Sequence, residues 1–348
     1  MNISLKQVFN CQKLLLDNVE LDLELIPERT PEVNPFYVFE LETLNKVLMY
    51  LIHPFNDCLY ISGPSGCGKT SIVLQIASRL GWAVEQITLS NKCESLDLIG
   101  HSTLKNGSLV FEYGALTRAM IHGEILILNE IDTMSPSDLS VLNDVLDGKP
   151  LTITQNNGEI IHPHKNFRVI ATANSKGYGD ETGFYNGVRV LNQAFMDRFR
   201  YIDVDYAKPA VEVVALHSAC PNIELDMIKK LVTFANNIRQ VIKQGIENGL
   251  TQISAPFSTR VLLKIGNILN LGIQGLDIHE IIQDCYSKRL PPLEYEYINR
   301  LANDVFGHSK EELKETQKND LNEQIEPKAK KTRTKKVAYK APCVKKKL

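Results

Sequence analysis

Nine consecutive residues, Gly63-Pro64-Ser65-Gly66-Cys67-Gly68-Lys69-Thr70-Ser71, constrain this chain more than any others. They fit the pattern GxxxxGK[ST] and lie between an apolar run, Cys58 to Ile61, and a helical pattern, Ser71 to Leu80. A strand, a glycine-rich loop and a helix in that order let backbone N–H groups wrap a di- or triphosphate. Lys69 then brings a point charge to the outer phosphates, and Thr70 offers a hydroxyl to Mg²⁺ at a helix N-terminus. Taken alone, the loop allows a kinase, a GTPase or a transporter.

The flanking pattern fixes the kind of sheet. Apolar stretches at Cys58 to Ile61, Ala83 to Leu89, Ile125 to Leu128, Phe167 to Ala173 and Tyr201 to Val204 alternate with helical patterns that include Ser71 to Leu80 and Ser135 to Leu146. That alternation predicts an open α/β fold with a five-stranded parallel sheet. Ser135, Pro136 and Asp138 read as the N-cap, first position and first turn of the second of these helices. Two hairpins interrupt the alternation, Ser102 to Tyr113 around Asn106-Gly107 and Leu151 to Ile161 around Asn156-Asn157-Gly158. They are candidates for pore or partner contacts or are surface decoration.

Ahead of the sheet, residues 1–35 read as an N-terminal appendage ending in a proline-rich loop, and Leu41, Leu44, Val47, Leu48 and Leu51 predict a helix. The nucleotide-binding α/β domain is expected over 36–206. A small all-helical lid is expected over 207–306, from apolar spacing at Leu225 to Ile242, Val261 to Leu269, Ile278 to Cys285 and Leu293 to Phe306. Residues 307–348 read as a polar to basic, flexible tail.

Seven scattered cysteines without a CxxC pair argue against a disulfide framework and a zinc site and for a reduced compartment. No apolar run approaches a membrane span, so a cytoplasmic protein is expected. His162 and His164 flank Pro163 in a hairpin exit with no nearby acid or cysteine, and read as a loop rather than a metal site.

Further along, the strand Ile125 to Leu128 ends in Asn129-Glu130, where phosphate-loop enzymes commonly place two acids. The first holds a Mg²⁺-bound water and the second polarises the attacking water, which makes Glu130 the candidate base. Asn129 keeps a hydrogen-bond acceptor but brings no charge. Asn174 ends a buried strand at the edge where open α/β sheets bind ligands, and can orient water against a γ-phosphate. Arg198 and Arg260 complete the set. Each is suited to stabilising a transferring phosphoryl group, or to a surface ion pair.

In this order and spacing the motifs resemble an AAA+ ATPase of the MoxR branch. The segment ATANSKGYGDETGFYNGVRVLNQAFMDRF, Ala171 to Phe199, is similar to the CobS-like ATPase subunit of aerobic cobaltochelatase, as are Asp97 to Gly100 and Ile161 to Phe167. The resemblance implies ATP and Mg²⁺ as ligands, Lys69 and Thr70 on nucleotide and metal, and Glu130 activating water. It further implies Asn174 as the γ-phosphate sensor, Arg260 acting from the lid, and Arg198 reaching into a neighbour's site, with Arg200 a weaker alternative. A finger supplied by a neighbour requires a ring, for which the family implies a hexamer, and a partner with a von Willebrand A domain. Asp180 and Glu181, in the glycine-rich loop after Asn174, read as pore or subunit contacts rather than catalysts.

The function expected is ATP binding and hydrolysis coupled in a ring to remodelling or activation of a partner, one version being a metal-chelatase-like complex. The alternative class is a nucleotide-dependent assembly or nucleic-acid-associated protein with weak hydrolysis. From Lys328 to Lys347 there are ten Lys/Arg and no acid, so the net −2 divides into +10 for this tail and −12 for the rest. Such a tail suits nucleic acid, an acidic partner or plain solvation. If it holds nucleic acid, deletion after Glu326 lowers salt-sensitive retention on immobilised DNA or RNA; unchanged retention removes nucleic acid as a partner.

Overall fold

The computed structural model of the protein describes residues 2–180, 182–248 and 253–308. Glu181 and the basic run Lys328 to Lys347 lie outside them. In chain order the strands are β1 (Asn2–Ser4), β2 (Asn18–Glu20), β3 (Cys58–Ser62), β4 (Val84–Thr88), β5 (Gly100–Lys105) and β6 (Ser108–Tyr113). They continue as β7 (Ile125–Asn129), β8 (Leu151–Ile153), β9 (Glu159–Ile161), β10 (Arg168–Ala173) and β11 (Phe199–Asp203).

Five of them, in the order β11-β3-β10-β7-β4, form one sheet in which every pairing is parallel. Side chains alternate across it, so each strand feeds two cores. Tyr60, Leu126, Leu128 and Ala171 face one core, with Leu116, Met120, Leu139 and Phe195 packed over them. Leu59, Ile61, Ile125, Ile127 and Ile170 face the other, covered by the helices Leu41–Ile52 and Lys69–Leu80. Burial on both faces is what near-continuous apolar strands require.

Both hairpins form where the Asn-Gly signals lie, β5 with β6 and β8 with β9. Asn106 and Gly107 take φ of 52° and 81°, the left-handed pair of a tight hairpin turn. The pattern from Ser135 to Leu146 is not one helix. It breaks into Pro136–Leu139, a 3₁₀ turn Ser140–Leu142, and Asn143–Leu146. Ser140 donates its hydroxyl to the carbonyl of Ser137 at 2.6 Å, the local competition by which serine weakens a helix interior.

After the sheet come the helices Pro209–Ala219, Leu225–Glu247, Thr259–Asn270, Ile278–Cys285 and Pro292–Phe306, packed around Phe234, Phe257, Ile265 and Ile282. The first of these has no stripe in the sequence: Val211, Val213 and Val214 spread over its sides, and Val214 is exposed. Among the described residues no helix is long and apolar enough to cross a membrane.

The N-terminal residues do not stand off as an appendage. Leu5, Leu14, Val19 and Leu21 are buried in the core that contains Ile125 and Ile127, and Arg29 pairs with the fully buried Glu124 at 2.7 Å. We therefore expect Leu5→Ala to lower the unfolding free energy by about 2–5 kcal/mol, as for other buried leucines. Denaturant titration checks this; a loss below about 0.5 kcal/mol would mark the segment as peripheral.

Candidate functional site

All five residues of β3 are buried, and the chain turns sharply as it leaves them. Gly63 takes φ +154°, and a Cβ there would lie 1.9 Å from the carbonyl oxygen of Val204. Gly66, at φ +72°, would meet Ser258 Cβ at 2.7 Å. Both positions therefore require glycine, for backbone shape and for space. The helix Lys69–Leu80 starts immediately after Gly68, so its N-terminal N–H groups and the loop amides share one concavity.

Lys69 Nζ donates to the carbonyls of Gly63 (2.7 Å) and Pro64 (3.0 Å) and to Asn174 Oδ1 (3.0 Å). Partial burial pushes the pKa of this lysine down. Thr70 Oγ1 donates to Asn129 Oδ1 at 2.7 Å, and Thr172 Oγ1 donates to the same oxygen at 3.1 Å. Cys67 is a partly buried thiol whose pKa burial raises, and its Sγ lies 3.5 Å from the Val204 carbonyl. Ser65 and Ser71 line the same cleft.

Glu130 follows β7 in the left-handed region, φ 57° and ψ 42°, with its side chain exposed. That conformation costs about 1 kcal/mol for a non-glycine residue. It is held because Ile131 and Asp132 on one side are fully buried and the Glu130 carbonyl accepts from Thr133 N (3.0 Å) and Oγ1 (2.8 Å).

A cleft of ≈ 1440 Å³ joins these groups. It is lined by the phosphate loop, Asn129, Glu130, Thr172, Asn174 and Arg260, by Phe36, Tyr37 and Val38 from the N-terminal part, and by Val211, Ala215, Leu263 and Ile268 from the helices. Arg260 is exposed in the first turn of its helix, behind Ser258, whose hydroxyl caps Val261 N.

Arg198 is elsewhere. Its guanidinium grips Asp147 (2.6 and 3.2 Å) and the Ala194 carbonyl (2.6 Å), and its own carbonyl accepts from Cys58 N, at the amino end of β3. The phosphate loop leaves the carboxyl end of that strand, which a five-residue strand puts roughly 17 Å away. Arg200 lies at the same amino end, paired with Asp57 at 2.9 Å.

Several contributors had no site role in the sequence. Asp132 is buried, and its Oδ2 accepts from Asn174 N (3.2 Å), Ser175 N (3.0 Å) and Ser175 Oγ (2.8 Å), which fixes the backbone under Asn174. The only hint in the sequence is a carboxylate set between the apolar residues Ile131 and Met134. The Ser65 amide donates to Tyr185 Oη at 2.9 Å, while Tyr206 Oη donates to the Ser65 carbonyl at 3.0 Å. Asp180 shapes the turn that delivers Tyr185, accepting from Thr182 N (2.8 Å) and Tyr185 N (2.6 Å). Phe184 meanwhile packs on the helical core. Arg239 lies 4.1 Å from the centre of the Tyr206 ring and pairs bidentately with buried Glu212 (2.7 and 3.0 Å), which also accepts from Thr259. This network ties the phosphate loop to the helices that carry Arg260.

Comparison with known proteins bears directly on this arrangement. The family described as AAA domain (dynein-related subfamily) matches residues 59–199, and that described as CbbQ/NirQ/NorQ C-terminal matches 211–284. Over 232 residues the chain is 30% identical to the aerobic cobaltochelatase subunit CobS of a Sinorhizobium species, covering 65% of this chain and 69% of the relative. The chain belongs to the MoxR-type AAA+ ATPases. It is also 29% identical to the protein NorQ of Paracoccus denitrificans (strain Pd 1222), over 73% of this chain and 90% of the relative. To the protein CbbQ of Hydrogenophilus thermoluteolus it is 26% identical, over 68% and 83%.

An AAA+ ATPase of this family implies a nucleotide and, with it, Mg²⁺. The donor set suits a hard cation: a threonine hydroxyl and an amide oxygen 2.7 Å apart at a helix N-terminus, with the Glu130 carboxylate in the same cleft. Thr70 would hold the metal directly and Asn129 through its hydrogen bonds. The ion, when bound, would supply charge neutralisation on the phosphates. Because Tyr185 props the loop from outside the cleft, Tyr185→Phe should weaken ADP binding about 5-fold, the loss of roughly one neutral hydrogen bond. Calorimetric titration measures this, and an unchanged affinity would show that the Ser65 amide needs no such prop.

Proposed function

We propose that this AAA+ ATPase binds ATP with Mg²⁺ at the phosphate loop and couples its hydrolysis, in a ring of copies, to remodelling or activation of a partner protein. One observation carries the reading: Lys69 and Thr70 of the loop are hydrogen-bonded to Asn174, the residue just after β10, and to Asn129, the last residue of the neighbouring β7. Phosphate cradle, metal ligand and γ-phosphate contact are thus one bonded constellation. Glu130 at the cleft rim is the base that activates water, and Arg260 approaches the phosphates from the helical side.

Arg198 completes the site from a neighbouring subunit. What supports this is its place at the amino end of the sheet, remote from its own phosphate loop, together with an arginine's capacity to stabilise phosphoryl charge. A ring follows from a finger in trans, with six copies as in the family. By likeness to a protein named as a cobaltochelatase subunit, a partner with a von Willebrand A domain and a metal-chelatase-like complex are the first to try.

Asn129 favours a second reading, in which the neutral amide leaves nucleotide binding intact and hydrolysis weak, so that the protein acts by nucleotide-dependent assembly. Steady-state phosphate release decides between them. Mg²⁺-dependent turnover above a Lys69→Ala control is expected; its absence would leave only the assembly reading. Arg198→Ala and Glu130→Gln should each abolish turnover, and mixing the two should recover part of it at hybrid interfaces. No recovery would remove the finger from the neighbour's site.

A further inference from the structure

The sheet register sets Thr172 of β10 directly across from Asn129 of β7. Thr172 is buried, and its hydroxyl donates to Asn129 Oδ1, the oxygen that also accepts from Thr70. A hydroxyl that ligates a cation gives the ion a lone pair and must turn its proton to an acceptor on the far side. An aspartate offers an oxygen there whichever way its carboxylate lies. An asparagine offers an oxygen in one orientation and an NH₂ in the other, and the NH₂ would face both the Thr70 proton and the cation.

We propose that Thr172 is a positioning residue that holds the Asn129 amide with its oxygen toward Thr70 and the metal, a support that an aspartate at position 129 would not need. The inference rests on the nucleotide-and-metal reading above. In the reversed orientation Thr172 would have to accept from the NH₂ and turn its own proton elsewhere. Among the described residues its hydroxyl has no other hydrogen-bond partner, so the reversal leaves a buried donor unpaired. Both donors at Oδ1 therefore favour the metal-binding orientation, one from the loop helix and one from the sheet.

The test measures metal binding rather than turnover: the Mn²⁺ dissociation constant of the complex with ADP, by electron paramagnetic resonance. Thr172→Val keeps the buried shape and removes the donor. It should weaken Mn²⁺ about 10-fold, the lower end for losing a hydrogen-bond partner of a metal ligand. Thr172→Ser should bind within about 2-fold of wild type, since it restores the hydroxyl. Asn129→Asp should bind more tightly than wild type, and adding Thr172→Val to it should cost less than about 2-fold. Wild-type affinity in Thr172→Val, an equal loss in both backgrounds, or no rescue by serine would each overturn the inference while leaving the nucleotide reading intact. A wild-type protein that binds ADP but takes up no Mn²⁺ would overturn the metal reading and this inference together.

Discussion

The site depends on the parallel register of three strands. With Asn129 opposite Thr172, and Ala173 opposite Ser62, the carboxyl ends of β7, β10 and β3 finish level with one another. The phosphate loop, Asn129-Glu130 and Asn174 thus emerge at one edge. A one-residue slip in any pairing would turn every side chain of that strand to the other face and undo its close packing in both cores. Hydrophobic packing along the strands therefore sets the polar geometry at their ends.

Two further layers hold that edge. Beneath it, Asp132 binds the backbone of Asn174 and Ser175, and Tyr60 Oη donates to the Ser175 carbonyl at 3.1 Å. Above it, Tyr185 and Tyr206 hold the two sides of the Ser65 peptide, and Arg239 with Glu212 carries that contact into the helices. Through Ser65 the loop is bonded toward the helical part, and through Lys69 and Thr70 to the residues at the ends of β10 and β7.

Much of this was written locally. The phosphate loop, the five strands and both Asn-Gly hairpins follow from neighbours a few residues apart, because glycine conformations and period-two burial are local properties. The residues that finish the site were not visible in that way. Asp132 reads as a carboxylate in an apolar run, while Thr172 and Tyr185 fall within the family-like segment Ala171 to Phe199, which gives neither of them a role. Each acts on a residue 42 to 120 positions away. The helix Pro209–Ala219 escaped for a related reason: wedged between the cleft and the helical core, it shows no single apolar stripe.

By itself the sequence determined the class of fold and the chemistry of the loop, since an alternating apolar pattern and a glycine-rich turn leave the backbone few choices. It also set an amide, Asn129, beside Glu130 at the end of an apolar strand. Only the tertiary structure decided how that amide is used, with its oxygen shared by Thr70 and Thr172, and that Arg198 lies a strand's length from its own phosphate loop. Both depend on which strands lie side by side and in which direction they run, and that is settled by burying whole faces rather than by any local pattern.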